Sequence, residues 1–244
     1  MSIRLDVALV ERGLARSRTH AASLVEADRV VVAGQPARKA SQPVTEDSEI
    51  KVLEAIDYVS RAGHKLAGAL DAFAEIEIEG KLCLDVGAST GGFTEVLLRR
   101  GAVRVVALDV GHGQIVPELA RNRKVVNLEN FNARELTPET LRERTADLGT
   151  TVDVAKTPIE IVVSDLSFIS LTLVLPAMVS VAPDADFVLL IKPQFEVGKN
   201  SLNARGIVND HRLRAGAIKQ VVDCATELGL KVHGLEKSSL PGTH

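Results

Sequence analysis

Leu82-Cys83-Leu84-Asp85-Val86-Gly87-Ala88-Ser89-Thr90-Gly91-Gly92-Phe93 reads as a buried apolar strand that stops on an acid and runs through a glycine-rich turn into a helix over Thr94 to Arg100. Glycine lets a backbone come close to a ligand, and the free N–H groups of a helix N-terminus point at whatever that turn admits. A second strand, Val103-Arg104-Val105-Val106-Ala107-Leu108-Asp109, also ends in an acid. Doubly wound nucleotide folds set a carboxylate against ribose hydroxyls at that place. The two segments together imply an adenosine-containing cofactor. The dinucleotide fingerprint fails, because the glycines fall at Gly87, Gly91 and Gly92, and the P-loop fails, because no lysine follows Gly92. An acid-x-Gly start without a phosphate-binding lysine suits a ligand without phosphates, such as S-adenosylmethionine. The bland alternative is an ordinary tight turn between strand and helix.

Composition bounds the rest. A chain of 244 residues with 45% hydrophobic and 25% charged residues has room for one large domain, or a small and a medium one, with a real core. Cys83 and Cys224 lack C-x-x-C spacing and sit in apolar patterns, which predicts burial in a reducing compartment rather than a disulfide or metal site. Met1-Ser2-Ile3-Arg4-Leu5-Asp6 carries charge where a signal peptide needs an apolar run. Leu166 to Pro183 has no charge, but its serines, Thr172 and Pro176 predict a strand end and a core helix instead of a membrane span. A net charge of −3 confines any nucleic-acid surface to a local patch.

Three regions emerge: a small module over 1–53, a linker over 54–59 and an α/β domain over 60–244. In the module, Arg4 to Glu11 and Ser17 to Ala27 predict amphipathic helices, the second capped by Ser17. A hairpin over Arg29 to Pro36 and a strand near Glu49 to Leu53 follow. Arg12, Arg16, Arg18, Arg29, Arg38 and Lys39 cluster here, either as a solvated face or as phosphate contacts. Tyr58, in the linker, either docks the two domains or stacks on a base. Beyond it, helices at 65–73, 94–100, 114–121, 138–147, 171–182 and 210–228 alternate with strands at 82–85, 103–109, 125–127, 159–164, 187–191 and 230–235. That rhythm predicts a parallel sheet covered on both faces, with its ligand beyond the carboxyl ends of the strands. Asp85, Asp109, Asp165 and Lys192 all end strands and point to one cleft. A lysine on an apolar strand end either pairs with Asp165 for structure or acts on a weakly acidic hydroxyl. His64 and His112 lack further ligands at metal spacing, so no metal is expected.

The first fifty residues resemble the S4-like RNA-binding domain, or alpha-L motif. The resemblance rests on Arg4-Leu5-Asp6, Leu9, Gly13-Leu14, Ser17-Arg18, Ala21, Leu24-Val25, Val30-Val31-Val32, Gly34 and Lys39. It implies RNA backbone contact by Arg4, Ser17, Arg18, Arg38 and Lys39. Asp28 replaces the usual glycine and Ala33 the common asparagine, which predicts a looser hairpin turn.

Ser60-Arg61-Ala62-Gly63-His64-Lys65 resembles the opening of the FtsJ-like ribose methyltransferases. With the loop Asp85 to Phe93, Ser164-Asp165-Leu166-Ser167 and Lys192-Pro193-Gln194-Phe195-Glu196, the chain resembles the TlyA family. That resemblance implies a Rossmann-like S-adenosylmethionine-dependent fold and 2′-O-methylation of ribosomal RNA, with a haemolysin label in the family's history. It implies a Lys–Asp–Lys–Glu tetrad whose first three members match Lys65, Asp165 and Lys192. The fourth and a closing strand are expected past His244, so the chain reads as truncated, impaired and less stable. Asp85, Gly87, Ala88, Ser89, Gly91, Gly92 and Phe93 would hold the cofactor, Asp109 its ribose, and Asn130 its adenine. The expected partner is ribosomal RNA within ribosomal subunits, met by a cytoplasmic monomer without metal or membrane. A non-catalytic RNA-binding assembly factor and a haemolysin are the rival readings. Base methyltransferases carry an Asn/Asp-Pro-Pro-aromatic run where this chain has Asp165-Leu166-Ser167-Phe168, which favours ribose.

Overall fold

A computed structural model describes residues 2–26, 29–52, 58–146, 156–198, 202–203 and 206–240. The chain divides into two units, Met1–Asp57 and Tyr58–His244. Most of the expected linker, 54–57, lies outside the described residues.

In the first unit, β1 (Ser2–Arg4) pairs antiparallel with β4 (Pro43–Thr45), so Arg4 is in a strand where a helix was expected. The helices α1 (Leu5–Glu11) and α2 (Arg18–Glu26) follow, and Ser17 caps α2 as expected by accepting the His20 N–H at 3.1 Å. Leu5, Leu9, Ala21, Leu24 and Val25 from these helices form one core with Val30 and Val44. Strand β2 (Val30–Val32) pairs with β3 (Gln35–Pro36) and β5 (Ile50–Val52). The β2–β3 register places Val32 opposite Gln35, leaving a two-residue turn. Ala33 (φ 49°) and Gly34 (φ 78°) are both left-handed, as a tight hairpin turn of the primed type requires. The looser turn expected from Ala33 is therefore not found; the strand twist imposes the tight form, and the alanine bears the strain.

The second unit is built on a five-stranded parallel sheet in the order β10-β9-β6-β7-β8. These strands are β6 (Leu82–Val86), β7 (Arg104–Leu108), β8 (Val125–Leu128), β9 (Ile161–Ser164) and β10 (Asp186–Leu189). Alternation along each strand sends side chains to two separate cores. Leu82, Leu84, Val86, Val106, Leu108 and Val162 join one core with Leu175 and Met178 of α7 (Leu175–Val181). Cys83, Val105, Ile161 and Val163 join the other with Leu66 and Leu70 of α3 (Arg61–Ala72) and Val96 and Leu97 of α4 (Gly92–Arg99). Burial pushes the Cys83 thiol up to about 12, which leaves it as packing.

Several elements differ from expectation. The uncharged segment is a core element, but Pro176 in the first turn of α7 leaves a separate 3-10 turn at Leu171–Leu173 instead of one helix. The helix expected over 114–121 shrinks to α5 (Pro117–Ala120), the one expected over 138–147 is α6 (Pro138–Thr145), and Pro193–Glu196 forms an unanticipated α8. After α9 (His211–Glu227), residues 230–235 form no strand. Val232 and Leu235 stay 45% and 62% exposed, Gly234 lies against the Phe73 ring, and β10 remains the sheet edge. Among the described residues no helix is long and apolar enough to cross a membrane.

Candidate active site

The glycine loop leaves β6 and enters α4 through Gly91, whose φ of 98° is left-handed. A Cβ on Gly91 would lie 2.3 Å from Leu119 Cδ1, and one on Gly92 would lie 2.3 Å from Ser60 Oγ. Both positions need glycine for close approach, which joins the loop to the start of α3. Ala88 packs with Ile115 and Leu119, and the Phe93 ring belongs to the core, so these two offer a ligand only their main chain.

Asp109, just past β7, accepts the Ser89 N–H on Oδ2 at 2.8 Å and the Gly111 N–H on Oδ1 at 2.7 Å. Asn130 is exposed and left-handed, with φ 54°; its N–H donates to the Gly111 carbonyl, and its amide lies 3.4 Å from His112 Nδ1. Asp85 is fully buried beneath the loop, where Oδ2 accepts from Thr94 Oγ at 2.6 Å and Oδ1 has no hydrogen-bond partner among the described residues. Burial pushes this carboxyl up to about 7; the Thr94 bond opposes the shift, and the charges of Asp165 and Asp109 add to it.

Three of the charged residues anticipated from sequence meet directly. Lys65, one turn into α3, places Nζ 3.0 Å from Asp165 Oδ2. Lys192, just ahead of α8, places Nζ 2.7 Å from Asp165 Oδ1. Asp165 follows β9, and its neighbour Leu166 covers Gly87, so this cluster adjoins the glycine loop. Two lysines on one half-buried carboxylate, beside a helix N-terminus, can hold a reacting hydroxyl, and the one that is a free amine can take up its proton.

Sequence reasoning did not single out the surroundings of Lys192. Ser167 Oγ lies 2.7 Å from its Nζ. Glu196, only 9% exposed, accepts the Leu171 N–H at 3.0 Å and a bond from Ser170 Oγ, tying α8 to the segment after β9. Phe168 is 91% exposed with φ 66°, and its ring lies 5.2 Å from that of Phe195. A strained, solvent-facing aromatic beside the cluster is the feature a base could stack on. Its place in a motif with Asp165 was readable, but its exposure was not.

Tyr58 packs within its own unit, edge-on to His64 at 5.0 Å and under the Arg99 guanidinium at 5.0 Å. In the first unit, Arg4 and Arg18 both bond the buried Asp6, at 2.9 Å and 3.0 Å. The Arg4 bonds, followed by those from Arg18, hold the Asp6 carboxyl down to about 2. Ser17 caps α2 as an acceptor and keeps its hydroxyl proton to donate, while Arg38 and Lys39 extend into solvent. Arg12 braces the 45–48 loop through the carbonyls of Ser48, Thr45 and Glu46.

A parallel sheet with a glycine loop leading into α4 and an acid after the neighbouring strand is the architecture of the S-adenosylmethionine-dependent methyltransferase class. The family profile of FtsJ-like methyltransferases matches residues 58–244, and that of the S4 domain matches residues 3–50. The chain is 49% identical over 242 residues to the 16S/23S rRNA (cytidine-2′-O)-methyltransferase TlyA of Mycobacterium tuberculosis, covering 98% of this chain and 85% of that one. It is 38% identical to Hemolysin A of Brachyspira hyodysenteriae, covering 91% of this chain and 89% of that one. A Streptococcus thermophilus protein solved under a hemolysin name superposes with a TM-score of 0.68 at 34% identity, covering 99% of this chain and 84% of that one. The chain belongs to the FtsJ-like methyltransferases, in the TlyA family that carries an S4 domain ahead of the catalytic one.

Proposed function

We propose that this chain methylates ribose 2′-hydroxyls of ribosomal RNA. The observation that carries the reading is Asp165 with Lys65 on one carboxylate oxygen and Lys192 on the other, next to the glycine loop. When bound, S-adenosylmethionine supplies a methyl on a sulfonium, which departs as a neutral thioether. The main chain of Gly87 to Gly92 holds its amino-acid end, above the buried Asp85, at the α4 N-terminus. Asp109 has lone pairs left for ribose hydroxyls, and Asn130 stands at the adenine. Lys192, as the free amine, receives the proton of the attacking hydroxyl, and Asp165 and Lys65 orient it. Phe168 gives the target base a flat apolar face. Arg4, Ser17, Arg18, Arg38 and Lys39 meet the RNA backbone. We assign the chain to the cytoplasm, where ribosomal subunits are met, and read it as a monomer that uses lysine charge instead of a metal.

The test incubates the chain with ribosomal subunits and labelled S-adenosylmethionine, then maps the modified nucleotides by mass. Ribose label that disappears in Lys192→Ala supports the proposal. Label on a base, or undiminished ribose label in that variant, overturns it. A wild-type chain that binds RNA and cofactor yet transfers nothing would favour the assembly-factor reading.

A further inference from the structure

An alcohol, besides the neighbouring carboxylate, sets the aim of Lys192. Its Nζ stands 2.7 Å from Asp165 Oδ1, yet among the described residues that oxygen accepts no aligned hydrogen bond. The directed bonds of Nζ run to Ser167 Oγ at 2.7 Å and, more weakly, to the Asp165 main-chain carbonyl at 3.4 Å. Lys65 behaves differently: it donates in line to Asp165 Oδ2 at 3.0 Å. Two lysines on one carboxylate are therefore inequivalent: Lys65 bonds it in line, while Lys192 touches it as an ion pair and directs its hydrogen bonds elsewhere.

Ser167 can do this because of where the chain turns. It is exposed, two residues after Asp165, and Phe168 at φ 66° bends the backbone away immediately afterwards. The bond between Glu196 and the Leu171 N–H ties the two segments that carry Ser167 and Lys192. A serine hydroxyl and a ribose 2′-hydroxyl are both alcohols, each with one donor and two lone pairs. The protein thus already seats an alcohol oxygen at hydrogen-bond distance from the amine that the reaction needs.

We infer that Ser167 is a positioning residue for methyl transfer: its hydroxyl holds Lys192 Nζ at the rim of the cleft and yields that place to the attacking ribose hydroxyl. This rests on the reading above, in which Lys192 receives the hydroxyl proton. Without Ser167, Nζ keeps its ion pair with Asp165 Oδ1 but is free to swing about that contact, away from the substrate.

The test compares wild type, Ser167→Ala, Ser167→Thr and Lys192→Ala by steady-state methyl transfer to ribosomal subunits, cofactor titration calorimetry and thermal melting. Ser167→Ala is expected to lose about tenfold in kcat, since a small misplacement of a catalytic group is enough for that, with KM for RNA, Kd for cofactor and Tm unchanged. Ser167→Thr, which keeps the hydroxyl, is expected to restore most of the loss. An unchanged kcat in Ser167→Ala beside an inactive Lys192→Ala overturns the inference and leaves the role of Lys192 standing. A loss seen only in KM or Tm, or one that threonine fails to restore, overturns it as well. An active Lys192→Ala removes the reading on which both depend.

Discussion

The main-chain N–H of Ser89 is bonded to Asp109 at 2.8 Å, which makes the acid after β7 a structural member of the glycine loop after β6. Ser89 sits at φ 47°, a conformation that side-chain-bearing residues avoid and that this bond helps to hold. Asp109→Ala therefore removes the proposed ribose acceptor and releases the loop in one step. Hydrogen bonds to a charged group contribute about 1.5–3 kcal/mol, so cofactor affinity is expected to fall roughly 10- to 100-fold. Titration calorimetry with S-adenosylmethionine checks this, and an unaltered Kd would remove Asp109 from the cofactor site.

Asp165→Asn keeps the shape of the side chain while removing the charge shared by Lys65 and Lys192. Methyl transfer is expected to drop by about 10²- to 10⁴-fold, the usual span for loss of positioned acid–base chemistry. Cofactor binding should persist, since the glycine loop and Asp109 are untouched. Equal losses in binding and turnover would reassign Asp165 to the cofactor.

Asp85 makes stability depend on pH in a definite direction. The unfolded carboxyl ionises at its ordinary 3.8 and the folded one at about 7. Between those values the native state keeps a proton that the unfolded chain has released, so this group's contribution falls as pH rises through the window and is flat above it. Asp85→Asn abolishes that slope. The stability difference between variant and wild type should thus widen from about pH 4 to 7, as read by denaturant unfolding at a series of pH values. Parallel curves would mean that Asp85 is ionised in the native protein.

Ala33 occupies a left-handed turn position at φ 49°. Such a residue bears about 1–2 kcal/mol of strain that glycine escapes and asparagine largely escapes, so Ala33→Asn and Ala33→Gly are expected to stabilise the first unit by roughly 1 kcal/mol. Thermal melting decides the matter; a lower Tm for both variants would contradict the turn described here.

Asp6 orients two arginines while itself buried. Asp6→Asn should weaken binding of a ribosomal RNA fragment while leaving the salt dependence unchanged, because both cations remain. Arg18→Ala should weaken binding and reduce the slope of log K against log salt by about one. Fluorescence anisotropy at several salt concentrations separates the two. If both variants bind like wild type, RNA meets another surface.

The sequence disclosed most where local pattern and chemistry coincide. Asp85, Gly91, Asp109, Asp165 and Lys192 each follow or close an apolar run, and parallel strands bring such ends to one side of the sheet. What escaped depended on distant partners. Arg4 lies in a strand because Pro43 lies opposite it, 39 positions away in the chain. Residues 230–235 alternate like a strand but pair with none in this sheet. Glu196 stood within a quoted motif, yet its role appears only once Ser170 and Leu171 fold against it. The exposure of Phe168 is a property of packing, which periodicity does not report.

Ser89, Asn130 and Phe168 share a backbone feature: each is a non-glycine residue with positive φ, shortly after β6, β8 and β9 respectively. Among the described residues of the second unit, strain at non-glycine positions is thus gathered after the carboxyl ends of the strands, at the rim proposed to handle cofactor and RNA. A laboratory selection for heat resistance alone would favour glycine at these three sites, each replacement returning roughly 1 kcal/mol. The survivors would be hardier proteins with blunted chemistry, and the distance between their melting curves and their turnover would record how much order the enzyme gives up to stay ready.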